Sequence, residues 1–266
     1  MTILPPHGPV PPEGPHVVPA STVVIFRNCP NGGSPELLMV QRAKEMRFAG
    51  NAAVFPGGRV DPADKELGLK LAPELDPEVS SAKVAGIRET LEETGLMLAT
   101  HERVDAWSAK IAKEARAMLF EHGTLAPVLD AFNWHLDLDQ LTLFSHWCPN
   151  WEKAFDTRFF VTNLGTGAVE IEVDATENTR LFWLSASRAL QLANEGEIRI
   201  IFPTRRNLDR LALFDSFEDA RAQIEKHPVS RITPFHEERC GETWMLIPDG
   251  HGYPVRGEPL STAERG

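Results

Sequence analysis

Three glutamates in the first half of the chain have a spacing that would let them bind a cation. Glu89, Glu92 and Glu93 lie at positions i, i+3 and i+4, so on a helix they project from one face. Like charges this close destabilise an exposed helix by about 0.2–0.5 kcal/mol per pair, and a bound cation would remove the repulsion. Hard divalent ions such as Mg2+ prefer carboxylate oxygens. The pattern therefore indicates a metal site, although a solvated acidic helix face would have the same spacing.

A turn followed by a helix is needed to bring these carboxylates to a ligand. Residues 82–94 contain no proline and a single glycine, Gly86, and Gly95 stands where a helix C-cap is expected. Gly57 and Gly58 lie upstream, and a ligand can approach their backbone closely because glycine has no Cβ. A glycine turn beside a carboxylate helix suits a diphosphate held through a divalent ion.

These two segments resemble the signature box of the Nudix hydrolases, G-x5-E-x7-R-E-U-x-E-E-x-G-U, where U is a bulky apolar residue. Gly58 supplies the first glycine, and Asp64 stands where the family has glutamate. Residues 88–96 match the second half in order, with Thr90 as a departure at the first U position. Residues 65–87 number 23 where the pattern has seven, so the box carries an insertion of 16 residues. A split box is also compatible with an inactive protein, but because every carboxylate of the second half is present we interpret the chemistry as intact.

The resemblance implies a catalytic role for each residue of the second half of the box. Glu92 and Glu93 would ligate the metal, with the Gly57 carbonyl completing the ligand set. Glu89 would ligate the metal or act as the general base, and these two roles stay open. Arg88 would orient Glu89 through a charge-assisted hydrogen bond. The implied cofactor is Mg2+ or Mn2+.

The segment upstream of the glycine turn resembles a motif of the coenzyme A diphosphatases in the same family, L-L-T-x-R-[SA]-x3-R-x3-G-x3-F-P-G-G. Arg42, Arg47 and residues 55–58 have the spacing of that motif. Arg42 and Arg47, together with Gly58 and Arg59, are therefore the predicted substrate-binding residues. The departures from the motif are Met39, Val40 and Asn51.

The split box and two later segments, residues 155–160 and 203–208, also resemble the coenzyme A and acyl-CoA diphosphatases that are peroxisomal in animals. The resemblance covers about residues 21–220 and implies hydrolysis of CoA or acyl-CoA to 3′,5′-ADP and (acyl-)phosphopantetheine. The CoA 3′-phosphate needs a cationic partner. Arg42 and Arg47 are the first candidates, and Arg205 and Arg206 are the next. Two alternatives stay open: an ADP-ribose or nucleotide-sugar diphosphatase, and a non-catalytic Nudix sensor that binds a nucleotide.

Composition limits the classes of partner. The chain has 266 residues, and its hydrophobic content of 42% is typical of a soluble globular protein. Its net charge of −11 argues against nucleic acid as a partner. The three scattered cysteines form no CxxC motif, which suits a reducing compartment. The sequence shows no membrane-spanning run, no secretory signal and no C-terminal peroxisomal address. We therefore expect a cytoplasmic protein that acts on a small-molecule diphosphate without a membrane partner.

The order of apolar segments predicts one α/β domain. Residues 1–20 hold seven of the 21 prolines and are predicted to form a flexible leader. Residues 21–250 are predicted to form a single Nudix α/β/α sandwich with a mixed β-sheet, inserted helices and a C-terminal helical extension. The insertion at about 65–80 contains no His or Arg, and we expect it to shape substrate access. Residues 251–266 are predicted to be a polar tail, and the sequence leaves a homodimer open.

Overall fold

The structure is a computed structural model, and it describes most of the chain. The described residues are 17–29, 32–43, 49, 51–100, 109–151, 154–165 and 178–263. Arg47, a predicted substrate-binding residue, lies outside them, as do residues 1–16 of the predicted leader and 264–266 of the predicted tail. All other predicted site residues can be placed.

Strands from distant parts of the chain form one mixed sheet and a smaller antiparallel sheet. In chain order they are β1 (Val18–Arg27), β2 (Glu36–Arg42), β3 (Ala53–Val54), β4 (Gly57–Arg59), β5 (Thr142–Trp147), β6 (Phe155–Asn163), β7 (Asn178–Leu184), β8 (Arg231–Ile232), β9 (Phe235–Arg239), β10 (Glu242–Leu246) and β11 (Gly257–Pro259). The mixed sheet has the order β3-β2-β1-β6-β5-β8, with β4 also paired to β1 and β7 to β2. β1 and β6 are parallel, whereas β4 runs antiparallel to β1. The small sheet has the order β11-β10-β9.

Helices cover both faces of the mixed sheet. They are α1 (Pro62–Leu71), α2 (Pro77–Thr94), α3 (Ala109–His122), α4 (Ala126–Phe132), α5 (Ala186–Asn194), α6 (Phe202–Leu211), α7 (Phe217–Lys226) and α8 (Leu260–Ala263), with a 3-10 turn at Leu138–Gln140. Among the described helices none is long and apolar enough to cross a membrane. The arrangement of helices on a mixed sheet confirms the predicted α/β sandwich.

The side chains of the central strand β1 alternate between two hydrophobic cores, one on each face of the sheet. Successive side chains of a strand point to opposite faces, and β1 is buried on both. Val23 and Ile25 pack with α2, α3 and α4 on one face. Val24 and Phe26 pack with α5, α6 and α7 on the other. The predicted carboxylate helix therefore lies on one side of the sheet and the C-terminal helices lie on the other.

The carboxylate helix α2 begins earlier and ends where the sequence predicted. Asp76 caps its start, with its side chain accepting hydrogen bonds from two backbone N–H groups, at 2.8 and 3.2 Å, and Pro77 occupies the first helical turn. Proline is favoured there because its missing N–H would have no helical partner. Gly95 ends the helix in the left-handed conformation with φ of 72°. The predicted start at residue 82 was therefore too late, whereas the predicted end at residue 94 is confirmed.

The predicted leader and tail both contain part of the ordered structure. β1 begins at Val18, whose N–H donates to the Ala154 carbonyl at 3.0 Å. Beyond residue 250 the chain forms β11 and α8, and Tyr253 donates a hydrogen bond of 2.6 Å to Asn207 on α6. Regular structure therefore begins before the predicted boundary at residue 21 and continues after the one at residue 250. It is stabilised there by contacts with neighbouring strands and helices, which composition does not reveal.

Candidate active site

The predicted glycine turn lies directly on the predicted carboxylate helix. β4 is an edge strand that pairs Gly58 with Ser21 of β1, and a Cβ on Gly58 would overlap the Glu89 carboxylate. The Gly57 N–H donates a 3.1 Å hydrogen bond to Oε2 of Glu93. A Cβ on Gly57 would overlap the Ser21 carbonyl. Only glycine allows this approach, so the turn and the helix form one site.

Glu89 is held in an environment that opposes its negative charge. Its side chain is 16% exposed, and burial raises its pKa to about 7, with the charge of Glu92 acting in the same direction and that of Arg88 acting against it. An adjacent cation would favour the ionised form of such a carboxyl group. The environment of Glu89 therefore fits a position next to a bound cation.

Arg88 connects the carboxylates to one another. Its guanidinium binds both oxygens of Asp64, through Nε and Nη2 at 3.0 Å each, and its Nη1 lies 3.0 Å from Glu89 and 3.3 Å from Glu92. Burial alone would lower the pKa of Arg88, but the hydrogen bonds that it donates to Asp64 and the surrounding carboxylate charges raise it. Arg88 is therefore a permanent cation, and its contact with Glu89 agrees with the predicted orienting role.

The donor set has the chemistry of a hard-cation site. Within the described residues, no three His, Cys, Asp or Glu side chains already stand in the geometry of a metal site. Arg88 contacts Glu89 and Glu92, and the Gly57 N–H donates to Glu93. Glu89, Glu92 and Glu93 are nevertheless oxygen donors from one helix face, and the backbone of the glycine turn lies against them. Oxygen donors of this kind suit Mg2+ or Mn2+, so the residues fit the predicted cofactor.

The structure describes two of the three predicted substrate-binding arginines, Arg42 and Arg59. Arg42 lies at the end of β2, and among the described residues its Nε is buried without a hydrogen-bond partner. Arg59 contributes its carbonyl oxygen to the site by accepting a 2.9 Å hydrogen bond from Arg88. Its side chain is exposed, and strand alternation turns it to the face opposite Gly58. The cluster around Glu89 therefore includes Gly58 but not the Arg59 guanidinium.

The two C-terminal arginines considered for the CoA 3′-phosphate are already paired. Arg205 lies 3.6 Å from Glu258, and Arg206 lies 3.0 Å from Asp209 and 3.4 Å from Glu258. Both belong to α6, on the sheet face opposite α2. The ion pairs with Glu258 connect α6 to the C-terminal strand β11, so the segment 203–208 has a structural role in the fold.

A second polar cluster, which the sequence did not reveal, fixes the start of α2. Arg158 of β6 pairs with Glu78 in the first turn of the helix and lies 3.7 Å from Asp156. Asp156 also pairs with His146 of β5. The sequence gives no local signal that Arg158 pairs with Glu78, because the two residues are 80 positions apart.

Comparisons with known proteins place this fold and site in a family. A crystal structure of a Nudix hydrolase from Alicyclobacillus acidocaldarius is 30% identical to the chain, covers 77% of it and 96% of the bacterial chain, and superimposes with a TM-score of 0.67. The acyl-coenzyme A diphosphatase NUDT19 of Xenopus laevis is 24% identical over 292 aligned positions, which span 89% of this chain and 74% of the relative. No family model matches the chain.

The mixed sheet with helices on both faces and the 30% identity to a solved hydrolase place the chain among the hydrolases. The chain belongs to the Nudix hydrolases. It is a Nudix diphosphatase, an enzyme acting on nucleoside diphosphate-linked substrates, and it resembles the coenzyme A diphosphatase subfamily. Nudix hydrolases generally need divalent metal ions, in agreement with the donor set of α2.

Divalent ions are expected to stabilise the folded protein. An ion that binds only the native state adds about 2.7 kcal/mol when present at 100 times its Kd, so Tm should rise by about 5 °C or more in a chain of this size. Thermal unfolding is measured with millimolar Mg2+ or Mn2+ against NaCl of equal ionic strength. Glu93→Gln should show a smaller rise, and an unchanged Tm of the unsubstituted protein would contradict metal binding by the native state.

Proposed function

We propose that this Nudix diphosphatase hydrolyses coenzyme A or acyl-CoA to 3′,5′-ADP and (acyl-)phosphopantetheine. The observation that carries the proposal is the Nε of Arg42, which is buried and has no hydrogen-bond partner among the described residues, in a chain whose net charge is −11. An anionic group on the substrate would satisfy it. The similarity to an acyl-coenzyme A diphosphatase along 89% of the chain points to the same substrate class.

The proposed catalytic roles are those that the resemblance to the Nudix box implies, and the positions of the carboxylates on one helix face support them. Glu92, Glu93 and the Gly57 carbonyl would hold a divalent ion, which supplies charge neutralisation at the diphosphate and lowers the pKa of a bound water. Glu89 is the further ligand or the general base. Arg88 fixes the orientation of Glu89 through its 3.0 Å contact, so that the carboxylate is already in place when substrate binds.

The reaction is a hydrolysis in which atoms balance without a redox partner. Water adds to one phosphorus of the diphosphate, and the bridging P–O bond breaks. One proton of the water passes to the base, and the two phosphate products leave as separate molecules. The absence of a Cβ at Gly57 and Gly58 lets the backbone of the turn lie against β1 and the Glu89 carboxylate, so the diphosphate would bind where the turn and the carboxylates meet.

Removing the Arg42 charge is expected to weaken the reaction with CoA selectively. The 3′-phosphate carries up to about two negative charges near neutral pH, and a charge-assisted hydrogen bond is worth about 1.5–3 kcal/mol. Arg42→Ala should therefore lower kcat/KM for CoA by about 10- to 100-fold. Dephospho-CoA, which lacks the phosphate, should be nearly unaffected. Steady-state kinetics on the two substrates measure the difference.

Arg180→Ala is the matched control for Arg42→Ala. Arg180 lies on β7, the strand next to β2, is exposed, and stacks over Phe182 at 5.4 Å. Its substitution should leave kcat/KM unchanged for both CoA and dephospho-CoA. Equal losses on CoA and dephospho-CoA in Arg42→Ala would reject the phosphate contact, and Arg47→Ala then tests the other arginine of the motif.

A substrate panel tests the proposed function itself. CoA, short and long acyl-CoAs, dephospho-CoA, ADP-ribose, NADH and sugar nucleotides are compared by kcat/KM with Mg2+ and with Mn2+. We expect CoA or an acyl-CoA to rank first. A preference for ADP-ribose or a nucleotide sugar would replace the proposed substrate, and nucleotide binding without turnover of any compound would favour the sensor.

A further inference from the structure

The helix formed by the box insertion contacts the carboxylate helix backbone to backbone. Gly68 of α1 lies so close to α2 that a Cβ would stand 2.8 Å from the carbonyl carbon of Ser80 and from the nitrogen of Ser81. These neighbours are main-chain atoms, which cannot rotate away as a flexible side chain can. The adjacent Leu67 enters the hydrophobic core that also contains Leu91 of α2. α1 is therefore seated on α2 at a fixed separation and not attached as a surface loop.

The first turn of α1 places the residue that binds Arg88. Asp64 is 2% exposed, and its carboxylate accepts a 2.9 Å hydrogen bond from the Asp61 N–H, which closes the capping box of the helix. The same carboxylate binds the Arg88 guanidinium at two positions. Because one side chain both caps α1 and holds Arg88, a movement of α1 displaces the partner of Arg88.

Arg88 transmits that position to the carboxylates. Its remaining N–H groups lie 3.0 Å from Glu89 and 3.3 Å from Glu92, and it donates to the Arg59 carbonyl at 2.9 Å. A continuous series of contacts therefore runs from the inserted helix to the predicted catalytic groups. Small misplacements of such groups have large effects, since about 1 Å can cost about 100-fold in rate.

We propose that α1 is a positioning element of the active site and that Gly68 and Leu67 are positioning residues, which act through the contact of Asp64 with Arg88. The proposal rests on the proposed function for the roles of Glu89 and Glu92. It changes the expectation drawn from the sequence, in which the insertion only shaped substrate access.

The effect should fall on kcat and on metal affinity, with little change in KM. The proposed substrate contact, Arg42, lies on β2, and none of its described contacts involves α1. Loosening α1 should therefore leave substrate affinity intact while it disturbs the groups that act on the diphosphate. A purely structural role would lower Tm but leave kcat, measured well below Tm, unchanged.

The test uses two substitutions with opposite mechanisms. Gly68→Ala adds one methyl group and pushes α1 away from α2, whereas Leu67→Ala removes core contact without any overlap. We expect each to lower kcat by about 10- to 100-fold with KM within about twofold, and to weaken Mn2+ binding by about 10-fold, measured by isothermal titration calorimetry without substrate. Lys70→Ala, on the exposed side of the same helix, is the control and should match the unsubstituted protein.

The outcomes separate this inference from the proposed function. Folded Gly68→Ala and Leu67→Ala proteins with unchanged kcat and unchanged Mn2+ affinity would overturn it, and if Gly68→Ala does not fold, Leu67→Ala decides alone. Kinetics are run on whichever diphosphate the unsubstituted enzyme turns over best. A preference for a substrate other than CoA or an acyl-CoA would therefore reject the proposed substrate, whereas the ratio of variant to unsubstituted kcat would still test the role of α1. If the unsubstituted protein binds no Mn2+, both proposals fail.

Discussion

Glu93→Gln is expected to lower kcat by more than about 100-fold and to leave the fold intact. Substituting residues that only support a metal ligand typically costs about 10–100-fold, so replacing a ligand itself should cost more. Glu93 is 4% exposed and accepts a 3.1 Å hydrogen bond from the Gly57 N–H. Glutamine has the same shape and can still accept that bond through its amide oxygen. The turn should therefore stay in place while the charge needed by the cation is lost.

The measurement is kcat at saturating substrate and saturating Mg2+ or Mn2+, with circular dichroism and thermal unfolding as tests of the fold. Glu66→Gln removes the same charge from an exposed position on α1 and should retain full activity. If Glu93→Gln kept normal turnover at high metal concentration, the assignment of Glu93 as a ligand would be wrong.

Features that depend on local sequence could be predicted well. The spacing of Glu89, Glu92 and Glu93 places them on one helix face whatever the rest of the fold does, and Gly95 marks the helix end because few other residues adopt a φ of 72° without strain. The glycine turn was also predictable, since Gly57 and Gly58 have no side chains to keep the helix away. Local geometry therefore defined the core of the site.

Features that depend on distant contacts could not be predicted. Asp64 and Arg88 are 24 positions apart, and their pairing depends on how the inserted helix packs. Gly68 carries no signal in the sequence, because its importance comes from the backbone of α2 on the other side of the contact. The sequence made Arg206 a candidate phosphate ligand, and the structure shows that it pairs with Glu258, 52 positions away. Charge and residue type show what a side chain can bind but not which partner it meets.

Arg88 shows most clearly how much depends on such distant contacts, because four carboxylates of the described residues lie within 4 Å of its guanidinium: those of Asp61, Asp64, Glu89 and Glu92. Removing one partner of a buried ion pair typically costs about 3–5 kcal/mol, since the other charge is left buried and uncompensated. Arg88 is 5% exposed and Asp64 is 2% exposed, so this pair belongs to the buried class. Arg88→Met should therefore lower the free energy of unfolding by about 3–5 kcal/mol and should also abolish most activity.

A double substitution separates the two effects of Arg88. Asp64→Asn removes the uncompensated charge and keeps an oxygen that can accept the Asp61 N–H, so Arg88→Met/Asp64→Asn should recover much of the lost stability, as neutral replacements of buried ion pairs often do. Activity should not recover, because Glu89 and Glu92 still lack the guanidinium that holds them. Urea unfolding of the single and double variants measures the first effect, and kcat on CoA measures the second. A single variant that lost less than about 1 kcal/mol would show that Asp64 finds another partner or becomes protonated, and a double variant with normal kcat would show that the carboxylates hold their catalytic positions without Arg88.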